Sequence, residues 1–181
     1  MKKILSIIIL FLSTITVSAN DRNIELDKLF LELKKNIPSL SSGIAQQIWV
    51  LWSTHPTDQK LTSLLDEGSR LVIDQQLNRA IDVFTEAIEL DPNWAEAWNK
   101  RATVFYMVGE FQKSQDDIDK VLELEERHFG ALAGQGMVNI KLKNFDKAKR
   151  SYQKVQEIYP AMKSPQVMIE QIEELIKRQS I

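Results

Sequence analysis

Two histidines, His55 and His128, and no cysteine are all the chain offers of the side chains that most often do chemistry near neutral pH. Without cysteine, thiolate nucleophiles and thiolate metal ligands are excluded, and two isolated histidines do not make a zinc set. A histidine can partner a serine in acyl transfer. Yet nothing in the sequence resembles the strained strand-to-helix turn that exposes a nucleophilic serine. His128 falls between two helical segments and is expected to cap or pack, not to act as a base. The acidic pairs Asp116-Asp117 and Glu125-Glu126 are adjacent, so on a helix they point apart and form no carboxylate dyad. Gly134-Gln135-Gly136 lies inside a helical pattern and does not follow a strand, which suits close helix packing and not a phosphate. No catalytic residue, cofactor or metal site is expected.

These residues sit on a periodic frame. Gly68, Ala102 and Gly136 are 34 residues apart, and Pro92 and Pro160 are separated by twice that interval. Units of 61–94, 95–128 and 129–162 also bring Ala80, Ser114 and Ala148 into phase, then Phe84, Ile118 and Tyr152, then Ala87, Val121 and Val155. Ala80, Phe84, Ala87 and Ile88 form one helical stripe, and Phe145, Ala148, Tyr152 and Val155 repeat it. Small residues let two helices of a unit approach closely, and the large ones are expected to fill the space between units. Asp91-Pro92-Asn93 stops one helix and starts the next, with Asn93 and Glu96 as a capping box. Gly109 is expected to be the left-handed residue between paired helices in the second unit, with Asn144 doing similar work in the third.

This pattern resembles the tetratricopeptide repeat over about 100 residues. Leu64 and Leu132 stand where the family favours tryptophan, and Glu126 where it favours proline, departures that touch local geometry only. The segments Trp98 to Ala102 and Arg127 to Leu132 are similar to those of small exported bacterial members of the family with no agreed activity. The resemblance implies an all-α helical solenoid of three repeats. Beyond it, Ser164-Pro165 opens a last helix whose apolar face is Met168, Ile172, Leu175 and Ile176. Glu170 stands in phase with the small residues, so 163–181 is expected to be a capping helix.

Upstream, Lys2 and Lys3, the apolar run Ile4 to Leu12 and the small residues to Ala19 describe a signal peptide over 1–19. Cleavage after Ala19 would export the chain to the periplasm or the medium; the alternative is an uncleaved inner-membrane anchor. Loss of the two lysines takes the formal charge from −2 to −4. A mildly acidic surface without clustered Lys and Arg argues against nucleic acid. Residues 20–60 read as a helical hairpin: Leu26, Leu29, Phe30 and Leu33 form one stripe, and a Ser41-Ser42 cap precedes a second helix ending in Ile48 to Trp52. That run is apolar on every side, so it either packs on the first repeat as a cap, docks a partner, or rests on a membrane surface.

The family resemblance also implies which places face the inner groove. In the second unit these are Glu96, Asn99, Lys100, Thr103, Tyr106 and Met107, and in the third Gly130, Ala133, Gly134, Met137, Ile140 and Lys141. Chaperone-binding members clamp a terminal carboxylate at places here held by Leu65, Ser69, Lys100, Gly130 and Gly134, so the clamp is absent. A shallow apolar groove is expected instead, with Asn99, Lys100, Thr103, Tyr106, Met107 and Met137 as its binding residues. It is either open or partly covered by the hairpin. The function so implied is an exported, non-enzymatic module that binds a protein or peptide partner. The alternative is a structural subunit or assembly factor associated with the envelope or the inner membrane.

Overall fold

The computed structural model describes residues 19–179, so all of the expected leader but Ala19 lies outside the described residues. Among the described residues there are nine helices and no strand. They are α1 (Ala19–Lys34), α2 (Pro38–Ser53), α3 (Gln59–Ile73), α4 (Leu77–Leu90), α5 (Ala95–Met107), α6 (Phe111–Leu124), α7 (Phe129–Lys141), α8 (Phe145–Ile158) and α9 (Ser164–Gln179). The expected all-α repeat solenoid is therefore what forms. α3 pairs with α4, α5 with α6 and α7 with α8, and each pair packs on the next through α4–α5, α6–α7 and α8–α9. None of the nine helices is long and apolar enough to cross a membrane.

The in-phase small residues act inside each unit. A Cβ added at Gly68 would lie within 3 Å of three ring carbons of Phe84, and one at Gly136 within 3 Å of three of Tyr152. Phe84 and Tyr152 thus lie over the small residue of their own unit, and the large residues also reach the next element as expected: Phe84 shares a core with Ala97 and Val104, Ile118 comes within 3.5 Å of a Cβ placed on Gly134, and Tyr152 shares a core with Ile169 and Ile172. Arg101 on α5 ties three helices together. It donates two hydrogen bonds of 2.8 Å to Asp117 on α6 and one of 3.0 Å to Thr85 on α4. Burial, followed by the nearby Tyr106, pushes the Tyr152 hydroxyl up to about 12. The folded state therefore keeps a proton that the unfolded chain releases near pH 10, and Tyr152 costs stability progressively between about pH 10 and about 12. Tyr152→Phe keeps the ring over Gly136, so its melting temperature is expected to fall less than that of the wild type across this window. Parallel curves for the two proteins in melts from pH 9 to 12 would contradict the assignment.

The turns inside the units are one device used three times. Gln75, Gly109 and Lys143 are 34 residues apart and all have positive φ, at 58°, 84° and 60°. In each turn the next residue's N–H returns to the helix, as Gln76 to Leu71 O, Glu110 to Phe105 O and Asn144 to Asn139 O. This is the Schellman closure of a helix. The left-handed place in the third unit is thus Lys143, and Asn144 opens α8 instead. Nor does the Asn93–Glu96 box form: α5 is entered through Trp94 without a side-chain cap. Ser41 does not cap α2 either. The helix starts at Pro38, and Ser41 is buried inside it, bonding back to Ile37 O. In α9 the buried residues are Pro165, Ile169 and Ile172, while Leu175 points outward.

The hairpin docks where the sequence did not place it. Leu26, Phe30 and Leu33 from α1, with Ala45, Ile48 and Trp52 from α2, share one core with Phe129, Leu132 and Val155 of the third unit. It is a strap reaching across to α7 and α8, not a cap stacked on the first repeat. Its hydrogen bonds to the first unit reach both ends of that unit: the His55 N–H donates to Thr62 Oγ1 at 2.9 Å, His55 Nε2 meets Asp91 Oδ2 at 2.9 Å, and Trp94 Nε1 donates to Trp52 O at 2.8 Å. Flat aromatic area explains the choice, because Trp52 lies stacked on the His128 ring with centroids 3.9 Å apart and tilted against Phe129 at 5.1 Å.

Candidate functional site

The inner surface divides into two halves. The half at the N-terminal ends of α5 and α7 is filled by the hairpin. Trp49 meets Phe129 edge-on at 5.5 Å, and its ring lies so close to Gly130 that a Cβ there would sit 2.5 Å from Trp49 Cη2. His128 anchors this half. It is fully buried and caps α7, with Nδ1 accepting from the Ala131 N–H at 3.0 Å. An Nδ1 that accepts carries no proton, so Nε2 holds it and donates to Glu96 Oε2 at 3.0 Å. Glu96 is itself buried, accepts from Asn99 Nδ2 at 3.0 Å and lies 3.4 Å from Lys100 Nζ through its other oxygen. A carboxylate this deep needs such a set of partners. The network holds the start of α5 against the start of α7.

The other half is open. Between α5 and α7 lies a cavity of about 90 Å³. Its buried floor is Ala102, Ser114, Ile118 and Val138, and its walls are Asn99, Thr103, Tyr106, Gly130, Gly134 and Met137. Tyr106 is held half-buried by Phe111, whose ring centroid is 5.5 Å away. Of the residues expected to bind, Asn99, Thr103, Tyr106 and Met137 come together here. Lys100 and Met107 do not line the cavity: Lys100 turns to Glu96, and Met107 is exposed further along α5. No basic residue lines the cavity and most of its floor is apolar, so the arrangement suits apolar side chains and not anions.

Sequence reasoning placed His128 as a capping or packing residue and Glu96 on the inner face, both of which hold, but did not foresee that they join Trp49 in closing half of the groove. The signal for Trp49 was present, since α2 has no charged residue and a helix of that composition is normally covered. What it covers was not written in its own pattern.

Fold and groove define a helical-repeat protein with a partly closed inner face. The tetratricopeptide repeat model matches residues 130–162. A TPR repeat-containing protein of Rhizobium etli is 34% identical over 151 residues, covering 82% of this chain and 73% of that protein. The chain belongs to the tetratricopeptide repeat family. Among solved structures, the first such domain of Spaghetti (RPAP3), bound to the HSP90 peptide SRMEEVD, is similar with a TM-score of 0.64 at 21% identity, over 66% of this chain and 94% of that one. The MamA protein is similar with a TM-score of 0.60 at 20% identity, over 84% of this chain and 81% of that one.

Proposed function

We propose that this protein is an exported, non-enzymatic interaction module that presents the open half of its inner groove to a segment of a partner protein. The observation that carries the reading is the cavity between α5 and α7, left open beside a half that the chain fills with its own hairpin. A repeat stack that needed only to be covered would have no use for a walled apolar opening bordered by Tyr106 and the exposed Met137. Membership of a family of binding modules supports the same reading, as do solved relatives bound to peptides. Export rests on the residues of the leader, Lys2 to Ala19.

The test is capture of the partner from native envelope extract by wild type and by the double variant Tyr106→Ala, Met137→Ala. Anchors of this type cost about 2 kcal/mol each when truncated, so capture is expected to fall by at least about 100-fold. Helicity is retained, because neither residue is fully buried. Undiminished capture by the folded variant would move the site elsewhere.

A further inference from the structure

We infer that the outward face of α8 docks antiparallel on the outward face of α4 in a second copy of this chain. The inference goes beyond the groove reading and does not depend on it, because none of the residues involved lines the cavity between α5 and α7.

Charge is spread unevenly along the stack. The first unit has seven acidic and two basic residues, and the third has two acidic and six basic. The second helix of each unit carries this difference on one outward stripe. On α4 the stripe is Arg79, Asp82, Glu86 and Glu89. On α8, two periods further on, the same places hold Lys147, Arg150, Lys154 and Glu157. Steps of three and four residues put each set on one side of its helix. Seven of the eight residues are exposed, and Lys147 is half-exposed.

Neither stripe is neutralised within the molecule. Like charges three or four residues apart on a helix repel each other. Glu86 has Lys60 at 3.5 Å, and Lys147 has Asp119 only at 4.0 Å. Asp82, Glu89, Arg150 and Lys154 form no ion pair among the described residues. The same places on α6 behave differently. There Lys113, Asp116, Lys120 and Glu123 alternate in sign, and Lys120 donates to Glu123 at 3.0 Å.

What each stripe lacks is present on the other. From Lys147 to Glu157, α8 carries three positive charges and then a negative one. Followed backwards from Glu89 to Arg79, α4 carries three negative charges and then a positive one. Laid antiparallel, Lys147 meets Glu89, Arg150 meets Glu86, Lys154 meets Asp82 and Glu157 meets Arg79. The steps agree as well, three, four and three residues on both helices, over about 15 Å of helix. Laid parallel, Arg79 would oppose Lys147 and Glu89 would oppose Glu157. The pattern thus selects direction and register together. The two stripes of one molecule cannot meet, since the second unit stands between them in the stack. A contact between two different faces of one chain repeats into an open row or closes into a ring.

Sedimentation velocity of the native protein tests this. At about 100 μM protein and about 0.02 M salt, species larger than the monomer are expected, and about 0.5 M salt should return them to monomer. One reversed variant carries Arg150→Glu and Lys154→Glu, the other Asp82→Lys and Glu86→Lys. Each alone is expected to lose at least about 10-fold in self-association, with helicity and melting temperature retained because all four positions are exposed. Mixed in equal amounts, the two should associate again, because the acidic α8 of one then meets the basic α4 of the other. Where a reversed variant does not fold, glutamine at the same two positions should still weaken association and carries the comparison. A wild type that stays monomeric in low salt overturns the inference. So does association that survives reversal of either stripe, or a mixture of the two folded variants that stays monomeric.

Discussion

Trp52→Ala is expected to release the hairpin from the repeats. Trp52 is buried in the core shared with Phe129, Leu132 and Val155, and it forms the stacking surface for the fully buried His128. Truncating a buried tryptophan costs about 3–5 kcal/mol. Here the loss falls on a two-helix element, and Trp52 supplies the largest flat surface in the core that attaches it. Hydrogen exchange is therefore expected to show residues 21–54 unprotected while the α5, α6 and α7 cores stay protected. The buried Glu96–His128 contact would become wet, since Trp52 is the lid on it. Protection of the hairpin equal to wild type would mean that the strap is held by something other than this stack.

Gly136→Leu is expected to act on the repeats themselves. Three ring carbons of Tyr152 lie within 3 Å of where its Cβ would be, and Tyr152 is buried between α7 and α9 with no room to retreat. Overpacking of this kind costs about 1–3 kcal/mol and more where a ring cannot move. In a chain of this size that lowers the melting temperature by several degrees, roughly 2–4 °C per kcal/mol. Gly134→Leu, two residues away on the same helix, meets no such ring and is the internal control. Equal melting temperatures for the two variants would contradict the packing described for the third unit.

Much of this was legible in the sequence because it is periodic. Gly68 and Gly136 announced close contacts, and the stripe Ala80, Phe84, Ala87 and Ile88 is buried in full. Local signals misled where a residue's partner was distant. Asn93 and Glu96 have the spacing of a capping box, but the Glu96 carboxylate reaches His128, 32 residues on. Asn144 looked like the left-handed residue of its turn because asparagine tolerates that conformation. The Schellman register put Lys143 there instead, in phase with Gln75 and Gly109. For the hairpin, Ile48 to Trp52 declared a need for cover without saying by what. Amphipathic pattern fixes which face is buried, not which surface buries it, and the answer lay about 80 residues away at Phe129.

The central claim is that the partner meets the open half of the groove. Site-specific photo-crosslinking in the intact native cell tests it most directly, with the photoreactive residue placed in turn at Thr103, at Met137, and at the exposed outer position Asp116 on α6. The account predicts a discrete crosslinked partner from Thr103 and Met137 and none from Asp116. Crosslinks from Asp116 alone, or none from the two groove positions in protein that is folded and correctly located, would contradict it.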